Sequence, residues 1–389
     1  MPVFSVACGK EWIEVRIPDG VKAEFVAAKE KPPVSDVESA IKEAIINPIG
    51  SPRLSSIVKP GQKVAIVVTD ITRRLPEDVI LPLLLRELED GGVCPGDIKV
   101  VVATGTHRPN TREEMEEMYG KEIVGRLEFI NHNAWDRSQL TYLGKSRRGI
   151  PLVVNKAVAE ADIRIATGVI EPHLFAGYSG GVKTIAVGAA GEETIAATHN
   201  YEMMCQSRLG VIEGNLFREF LTEATQAIGL DFIVNVIQTV DKRVVRVVAG
   251  DPVKAFEAGV KTAREIYEVE IEEEADIVIA GVTYPKSRDL YQATRAANTS
   301  VYGPKPVVKN GGVILIPTPC EDGFGHPGYR KWMAESKGLD DVMKSAREKG
   351  FAPGEQKAII LAGILKHARV VITNCRIPAN ELAEVYLEA

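Results

Sequence analysis

Short runs of β-branched residues alternate with capped helical segments along this chain, and that alternation limits the fold class before any single residue is weighed. Residues 63–69 read Lys-Val-Ala-Ile-Val-Val-Thr, an apolar run of strand length. A run with no polar alternation is the mark of a strand covered on both faces, as in a parallel sheet. Residues 76–90 then read as a helix, with a proline and two acids in the first turn and Gly91-Gly92 past the end. Residues 98–103 are the next strand. Thr111-Arg-Glu-Glu114 is a capping box that opens another helix. Residues 162–170 and 231–240 read as further strands, and Ser35-Asp-Val-Glu38 caps an early helix that runs to about Asn47. Strands separated by helices predict a parallel sheet with helices on both faces.

A helix over 252–269 leads into the acidic run 268–274, which reads as a solvated helix end and linker. A second α/β pattern follows: a strand at 276–280, a helix at 289–298, a strand at 312–316, a helix at 355–367, a strand at 369–373 and a last helix at 378–388. The sequence therefore predicts two Rossmann-like α/β domains with mainly parallel sheets and an active site in the cleft between them. The boundary falls near 265–275. Residues 1–268 are expected to bind a cofactor and carry the catalytic groups, and residues 269–389 to close over a substrate. No internal repeat or low-complexity tract interrupts this order.

Composition removes several function classes. With 389 residues the chain can bury more than one full core. A net charge of −6 argues against a broad nucleic-acid surface. Cys8, Cys94, Cys205, Cys320 and Cys375 are scattered and lack a Cys-x-x-Cys pair, so neither a disulfide framework nor a zinc knuckle is indicated. Reduced thiols, no signal-peptide pattern and no apolar run near ~20 residues together predict a cytoplasmic protein without a membrane partner.

In α/β sheets ligands bind beyond the carboxyl ends of the strands. Asp70-Ile-Thr72-Arg73 follows the strand at 63–69, Gly105-Thr-His107-Arg108 that at 98–103, and Glu171-Pro-His173 that at 162–170. Any one of these alone is an ordinary polar loop; the three together indicate function. His107 and His173 suit acid–base work, because an imidazole titrates near ~6.5. Either could instead be a structural histidine bound to a loop carbonyl. His199, at the end of a helix that begins after Gly191, is a metal-ligand candidate or a plain C-terminal helix residue. No His-Glu-x-x-His spacing is present.

Gly177-Tyr-Ser179-Gly180-Gly181-Val-Lys183-Thr nearly matches a phosphate-binding P-loop, but Val182 separates the last glycine from the lysine. Its backbone N–H groups could still meet a phosphate, leaving Lys183 for another task, such as a covalent bond. No Gly-x-Gly-x-x-Gly follows a strand, which argues against a dissociable dinucleotide. In the second domain Gln292 and Arg295 stand three residues apart on one predicted helix face, where Arg295 could clamp a carboxylate. That face could equally be solvated. His132 and His367 have no comparable context, and His326, in Gly-Phe-Gly-His-Pro-Gly, reads as part of a turn.

Taken in order, Asp70-x-Thr72-Arg73, Gly105-Thr-His107-Arg108-Pro109, Glu171-Pro-His173, Gly177-Tyr-Ser-Gly-Gly-Val-Lys183, Thr198-His199-Asn200 and Leu290-Tyr291-Gln292 resemble the nickel-dependent lactate racemase family. The resemblance runs from about residue 60 to 300 and is most specific over 171–200. It implies a racemase or epimerase of a 2-hydroxy acid and a nickel-pincer nucleotide, a pyridinium mononucleotide with two sulfur-bearing arms. It implies covalent attachment of that group to Lys183 through a thioamide, a nickel ligand in His199, and acid/base roles for His107 and His173. Asp70, Thr72, Arg73, Ser179, Gly180 and Gly181 match cofactor-lining positions. Arg73, Tyr291, Gln292 and Arg295 match substrate-binding ones.

Two positions depart from the family pattern. The lactate enzyme typically carries a lysine where this chain has Arg295, so a larger, second-carboxylate or sugar-acid substrate fits as well as lactate. Thr198 stands where an asparagine is expected. The implied partners are the small 2-hydroxy acid and the proteins that build the cofactor, with oligomerisation open. The competing readings are a zinc-dependent hydrolase on His107, His173 and His199, and a non-catalytic ligand-binding homologue.

Overall fold

The computed structural model describes residues 1–352 and 354–389. Two compact units emerge, and the chain alternates between them: one comprises Met1–Ala27, Asn200–Val211 and Val269–Ala389, the other Ala28–His199 and Ile212–Glu268. This division differs from a cut at 268/269 in two segments, 1–27 and 200–211, which group with the C-terminal part.

In the unit holding Ala28–His199, six strands form one sheet in the order Val244–Gly250, Phe232–Gln238, Ile163–Val169, Val64–Thr69, Ile98–Ala103 and Glu128–Asn131. All neighbours run parallel except the edge strand Val244–Gly250, which pairs antiparallel with Phe232–Gln238. All side chains of Val64–Thr69 and Phe232–Gln238 are buried, including the polar Asn235 and Gln238, as strands covered on both faces require. Val64–Thr69 sits in the middle. The chain first winds outward through Ile98–Ala103 and Glu128–Asn131, then crosses to its other side with Ile163–Val169. This is the doubly wound order, and it leaves a crevice at the carboxyl ends of Val64–Thr69 and Ile163–Val169, where successive loops part.

Two of the helices begin where a side chain satisfies free N–H groups. Thr111 and Glu114 form the capping box expected for Arg112–Tyr119. The early helix Val37–Ile46 is capped by Asp36, whose Oδ1 accepts from Ser39 N–H at 3.2 Å, so the cap lies one residue later than Ser35. Helix Glu77–Asp90 buries an apolar face of Ile80, Leu81, Leu84 and Leu88 in the same core as Val64, Ile66 and Val68.

The other unit contains a three-stranded parallel sheet in the order Ala275–Ile279, Val308–Pro317, Arg369–Thr373. A second three-stranded sheet joins the N-terminal hairpin Val3–Gly9/Glu11–Arg16 to Val282–Thr283. The single helix expected at 289–298 is two short ones, Leu290–Ala293 and Arg295–Val301, which break at Thr294. Thr294 Oγ1 donates to Leu290 O at 2.7 Å, a side-chain bond of the kind that disturbs a helical ladder. The last helix is shorter than expected, Ala379–Ala383. His326 caps a helix, Pro327–Glu335, by accepting from Gly328 N–H at 3.1 Å. Among the described residues no helix is long and apolar enough to cross a membrane.

Candidate active site

Three adjacent parallel strands end side by side, so the loops after Thr69, Ala103 and Val169 converge. Asp70 is buried and His107 is largely exposed; His107 Nδ1 lies 2.7 Å from Asp70 Oδ2. Thr72 adds N–H and hydroxyl donors to Asp70 Oδ1 at 3.2 and 2.6 Å. Burial pushes the Asp70 carboxyl up, but the hydrogen bonds from His107 and Thr72 outweigh it, and its pKa falls below the usual carboxylate value. An ionised Asp70 must receive a proton-bearing nitrogen, so Nδ1 of His107 carries hydrogen and Nε2 presents its lone pair.

Arg73 Nη1 donates to Glu171 Oε1 at 2.9 Å, which ties the loops after Val64–Thr69 and Ile163–Val169 together. Lys242 Nζ meets the other Glu171 oxygen at 3.1 Å. His173 is arranged opposite to His107: its Nδ1 accepts the backbone N–H groups of Phe175 and Ala176, both at 3.2 Å. A neutral His173 therefore keeps its proton on Nε2. The two neutral imidazoles therefore rest as opposite tautomers, His107 with its hydrogen on Nδ1 and His173 with its hydrogen on Nε2.

The glycine-rich loop turns under this pair. Gly177, Gly180 and Gly181 all have positive φ. A Cβ on Gly180 would meet Asn235 Oδ1 and Ile170 Cγ1, each at 2.8 Å. Ser179 is buried, and its hydroxyl donates to Val169 O at 2.7 Å and accepts from Glu171 N–H at 3.1 Å, so it pins the loop to the strand end. Gly181 N–H is held by Asn235 Oδ1 at 2.7 Å. Lys183, at the start of the short helix Lys183–Ala186, carries no ion pair or side-chain hydrogen bond among the described residues. Burial, then the charges of Arg73 and Arg218, pushes its amine down to about 7, against the pull of Glu171 and Asp70. A large share of it is thus the free, nucleophilic amine at neutral pH.

His199 ends helix Glu192–Thr198. Its ring is edged by Phe175 and Phe217, with centroids at 5.6 and 5.3 Å. Nδ1 lies 2.9 Å from Ile195 O and 3.2 Å from Thr198 Oγ1. Burial lowers the imidazole pKa to about 4, so the ring is neutral, with Nδ1–H given to Ile195 O and the Nε2 lone pair available to a metal. Thr198, the departure from the family pattern, spends its hydroxyl on Thr194 O at 2.8 Å and on this ring.

Tyr291, Gln292 and Arg295 belong to the other unit. There Arg295 Nη1 donates to Gln292 Oε1 at 3.2 Å, across the break at Thr294, and the Tyr291 ring packs on His326 and Tyr329. His132 and His367 are structural: a nitrogen of each lies within 2.9 Å of a backbone carbonyl, of Ala190 and Val308 respectively.

The residues that sequence reasoning missed are buried ones. Glu77, which reads as an ordinary first-turn acid, has no solvent exposure and holds Thr69 through both its N–H and its hydroxyl. Arg218 donates to Ala176 O at 2.9 and 3.1 Å, and also to Tyr178 O, fastening the 172–178 hairpin from below. The signal for Arg218 was present, since it interrupts the apolar run Leu-Phe-Arg-Glu-Phe-Leu. Among the described residues no three His, Cys, Asp or Glu side chains converge on one point. The zinc-hydrolase reading thus lacks a donor set, and one histidine can serve a metal only if a bound group brings further donors.

Most of the chain is similar to known proteins. Residues 8–210 match the family model of a lactate racemase N-terminal domain, and residues 269–389 that of a lactate racemase C-terminal domain. A lactate racemase of Thermoanaerobacterium thermosaccharolyticum is 34% identical over 341 residues, 86% of this chain and 79% of the relative. A lactate racemase of Lactiplantibacillus plantarum is 32% identical over 359 residues, 90% of this chain and 83% of the relative. The solved lactate racemase apoprotein from T. thermosaccharolyticum superposes with a TM-score of 0.89 at 32% identity, covering 100% of this chain and 92% of that one. A Thermotoga maritima protein of 21% identity shares the fold, with a TM-score of 0.68 over 90% of this chain and 91% of its own.

Proposed function

Because this chain belongs to the lactate racemase family, we propose that it inverts C2 of lactate or a related 2-hydroxy acid with a nickel-pincer nucleotide joined to Lys183. As a racemase it is an isomerase acting on hydroxy acids. The observation that carries the finer reading is the pairing of Lys183 with His199: an amine without ion pair or hydrogen bond among the described residues, and a neutral imidazole with an open Nε2. The amine suits acylation, and the imidazole suits one coordination position of a metal whose other donors arrive with the cofactor.

When bound, the cofactor supplies an acceptor and donor for the C2 hydride, so that the substrate passes through a flat 2-keto acid and the weakly acidic C2 proton is never removed. The chain's own residues handle the proton and the orientation. His107 Nε2, whose lone pair is left exposed by the Nδ1–H bond to Asp70, takes the substrate hydroxyl proton. His173 serves the other face, returning a proton to the oxygen as an imidazolium so that the ring is left neutral. The roles exchange for the opposite enantiomer. Arg73 uses part of its fork on Glu171 and has further N–H donors for the substrate carboxylate. Tyr291, Gln292 and Arg295 are the substrate-side residues of the C-terminal unit, and Arg295 in place of a lysine favours a substrate other than lactate itself.

The test uses protein made alongside the cofactor-building proteins and C2-deuterated lactate and larger 2-hydroxy acids. The reading predicts inversion with deuterium retained at C2. Inversion with loss of deuterium to water would replace hydride transfer by proton abstraction, and no inversion of any such acid would remove the racemase reading.

A further inference from the structure

Lys357 is a buried lysine in the first turn of helix Gln356–His367, 2% exposed, and its Nζ has no hydrogen-bond partner among the described residues. Its Nζ lies 5.8 Å from the centroid of the Tyr291 ring. Tyr291 also stacks edge-on against Tyr329, at 5.5 Å, whose buried hydroxyl is likewise without a partner. Two unsatisfied buried polar groups thus flank one substrate-side tyrosine. Unpaired buried ammonium and hydroxyl groups are costly and uncommon, and where they persist a function is the usual reason.

Counting charge points the same way. Arg295 depresses the basicity of Lys357, and the carboxylate that offsets it, Asp289, already caps the Leu290–Ala293 helix by accepting from Gln292 N–H at 2.8 Å. Burial, the larger influence, takes the Lys357 amine down to about 7. In the reading above, the forks of Arg73 and Arg295 already answer a substrate's one carboxylate. The second cation beside the same tyrosine is left over unless the substrate brings a second acid.

We propose that Lys357 is a specificity-determining residue that binds a second acidic group of the substrate once the Tyr291 ring swings aside, and that this chain prefers 2-hydroxy dicarboxylates over lactate. The proposal rests on the 2-hydroxy acid reading and deepens it. Tyr329 supplies a hydroxyl donor to the same group, and Arg295 holds the other end of the ligand.

The experiment is calorimetric titration of the cofactor-loaded protein with L-malate and L-lactate, for the wild type, Lys357→Met and Lys357→Gln. The wild type is expected to bind malate at least about tenfold tighter than lactate, and both variants to lose about that factor in the ratio. Lys357→Met removes a buried unpaired amine, so its melting temperature should be no lower than the wild type's; if it fails to fold, Lys357→Gln carries the test. Equal affinity for the two acids in the wild type, or a malate preference that survives in a folded variant, overturns the proposal. Chiral analysis of the same samples separates it from the reading beneath it. A lysine-dependent malate preference without inversion of either acid removes the racemase reading alone, and inversion of lactate without a malate preference removes the lysine assignment alone.

Discussion

Glu77 props up the floor of the site, and replacing it by glutamine has a calculable pH signature. Its Oε1 accepts Thr69 N–H at 3.0 Å, Thr69 Oγ1 at 3.2 Å and Thr167 Oγ1 at 2.6 Å, while Oε2 is buried without a partner. Burial raises the carboxyl from 4.5 to about 8, against the hydrogen bonds from Thr167 and Thr69. A carboxyl raised in the folded state holds its proton there while the unfolded chain has lost it. Its contribution to stability is full below the unfolded value of 4.5, declines as pH rises toward about 8, and is flat beyond. The slope is about 1.4 kcal/mol per pH unit, or about 2.7 kcal/mol between about pH 5 and about pH 7. Glu77→Gln keeps an acceptor oxygen for Thr69 and Thr167 and cannot ionise. Denaturant unfolding of both proteins across this pH range should show the variant gaining about 2.7 kcal/mol on the wild type as pH rises. A stability difference that stays constant over the window refutes a native Glu77 that holds its proton.

Asp70→Asn removes the carboxylate that fixes the His107 tautomer. Turnover should fall by about 10–100-fold while the mass adduct on Lys183 persists, and unchanged turnover would remove Asp70 from the positioning role. His107→Ala and His173→Ala should each retain the adduct and lose about 10²–10⁴-fold in inversion rate; near-normal rates in either variant would release that histidine from acid–base work. Gly180→Ala forces a Cβ to within 2.8 Å of Asn235 Oδ1 and Ile170 Cγ1 at φ +84, so it should lower stability by about 1–3 kcal/mol in thermal melts; a variant that melts with the wild type would show that the loop tolerates a side chain.

What was legible in the sequence follows the range of the interactions involved. The cap of Arg112–Tyr119 is local, and Thr111 and Glu114 were enough to read it. The grouping of Asp70, His107 and Glu171 was legible because parallel strands place their carboxyl ends together, whatever their order in the sheet. The hydrogen-bond pattern that separates the two histidines was not legible. It depends on a carboxylate 37 residues away for His107 and on a local turn geometry for His173. Burial of Glu77 and Lys357 was equally hidden, since each lies on a helix whose packing partners are distant in the chain, whereas Arg218 was marked by the apolar run it interrupts. The break at Thr294 went unread because a threonine's back-bond to Leu290 O competes with the helix only once both helix ends are packed. The N-terminal hairpin pairs Cys8 and Gly9 with Val282 and Thr283, a contact that periodicity within residues 3–16 cannot announce.

The central claim is that Lys183 carries a cofactor that brings most of the metal's ligands with it. Intact-mass measurement with peptide mapping, on protein made alongside the cofactor-building proteins, tests it most directly, with Lys183→Ala as the comparison. The account predicts a nucleotide-sized adduct on the Lys183 peptide, nickel in the same sample, and neither in a folded Lys183→Ala protein. An unmodified Lys183, in cells where a control protein does acquire the adduct, would contradict it.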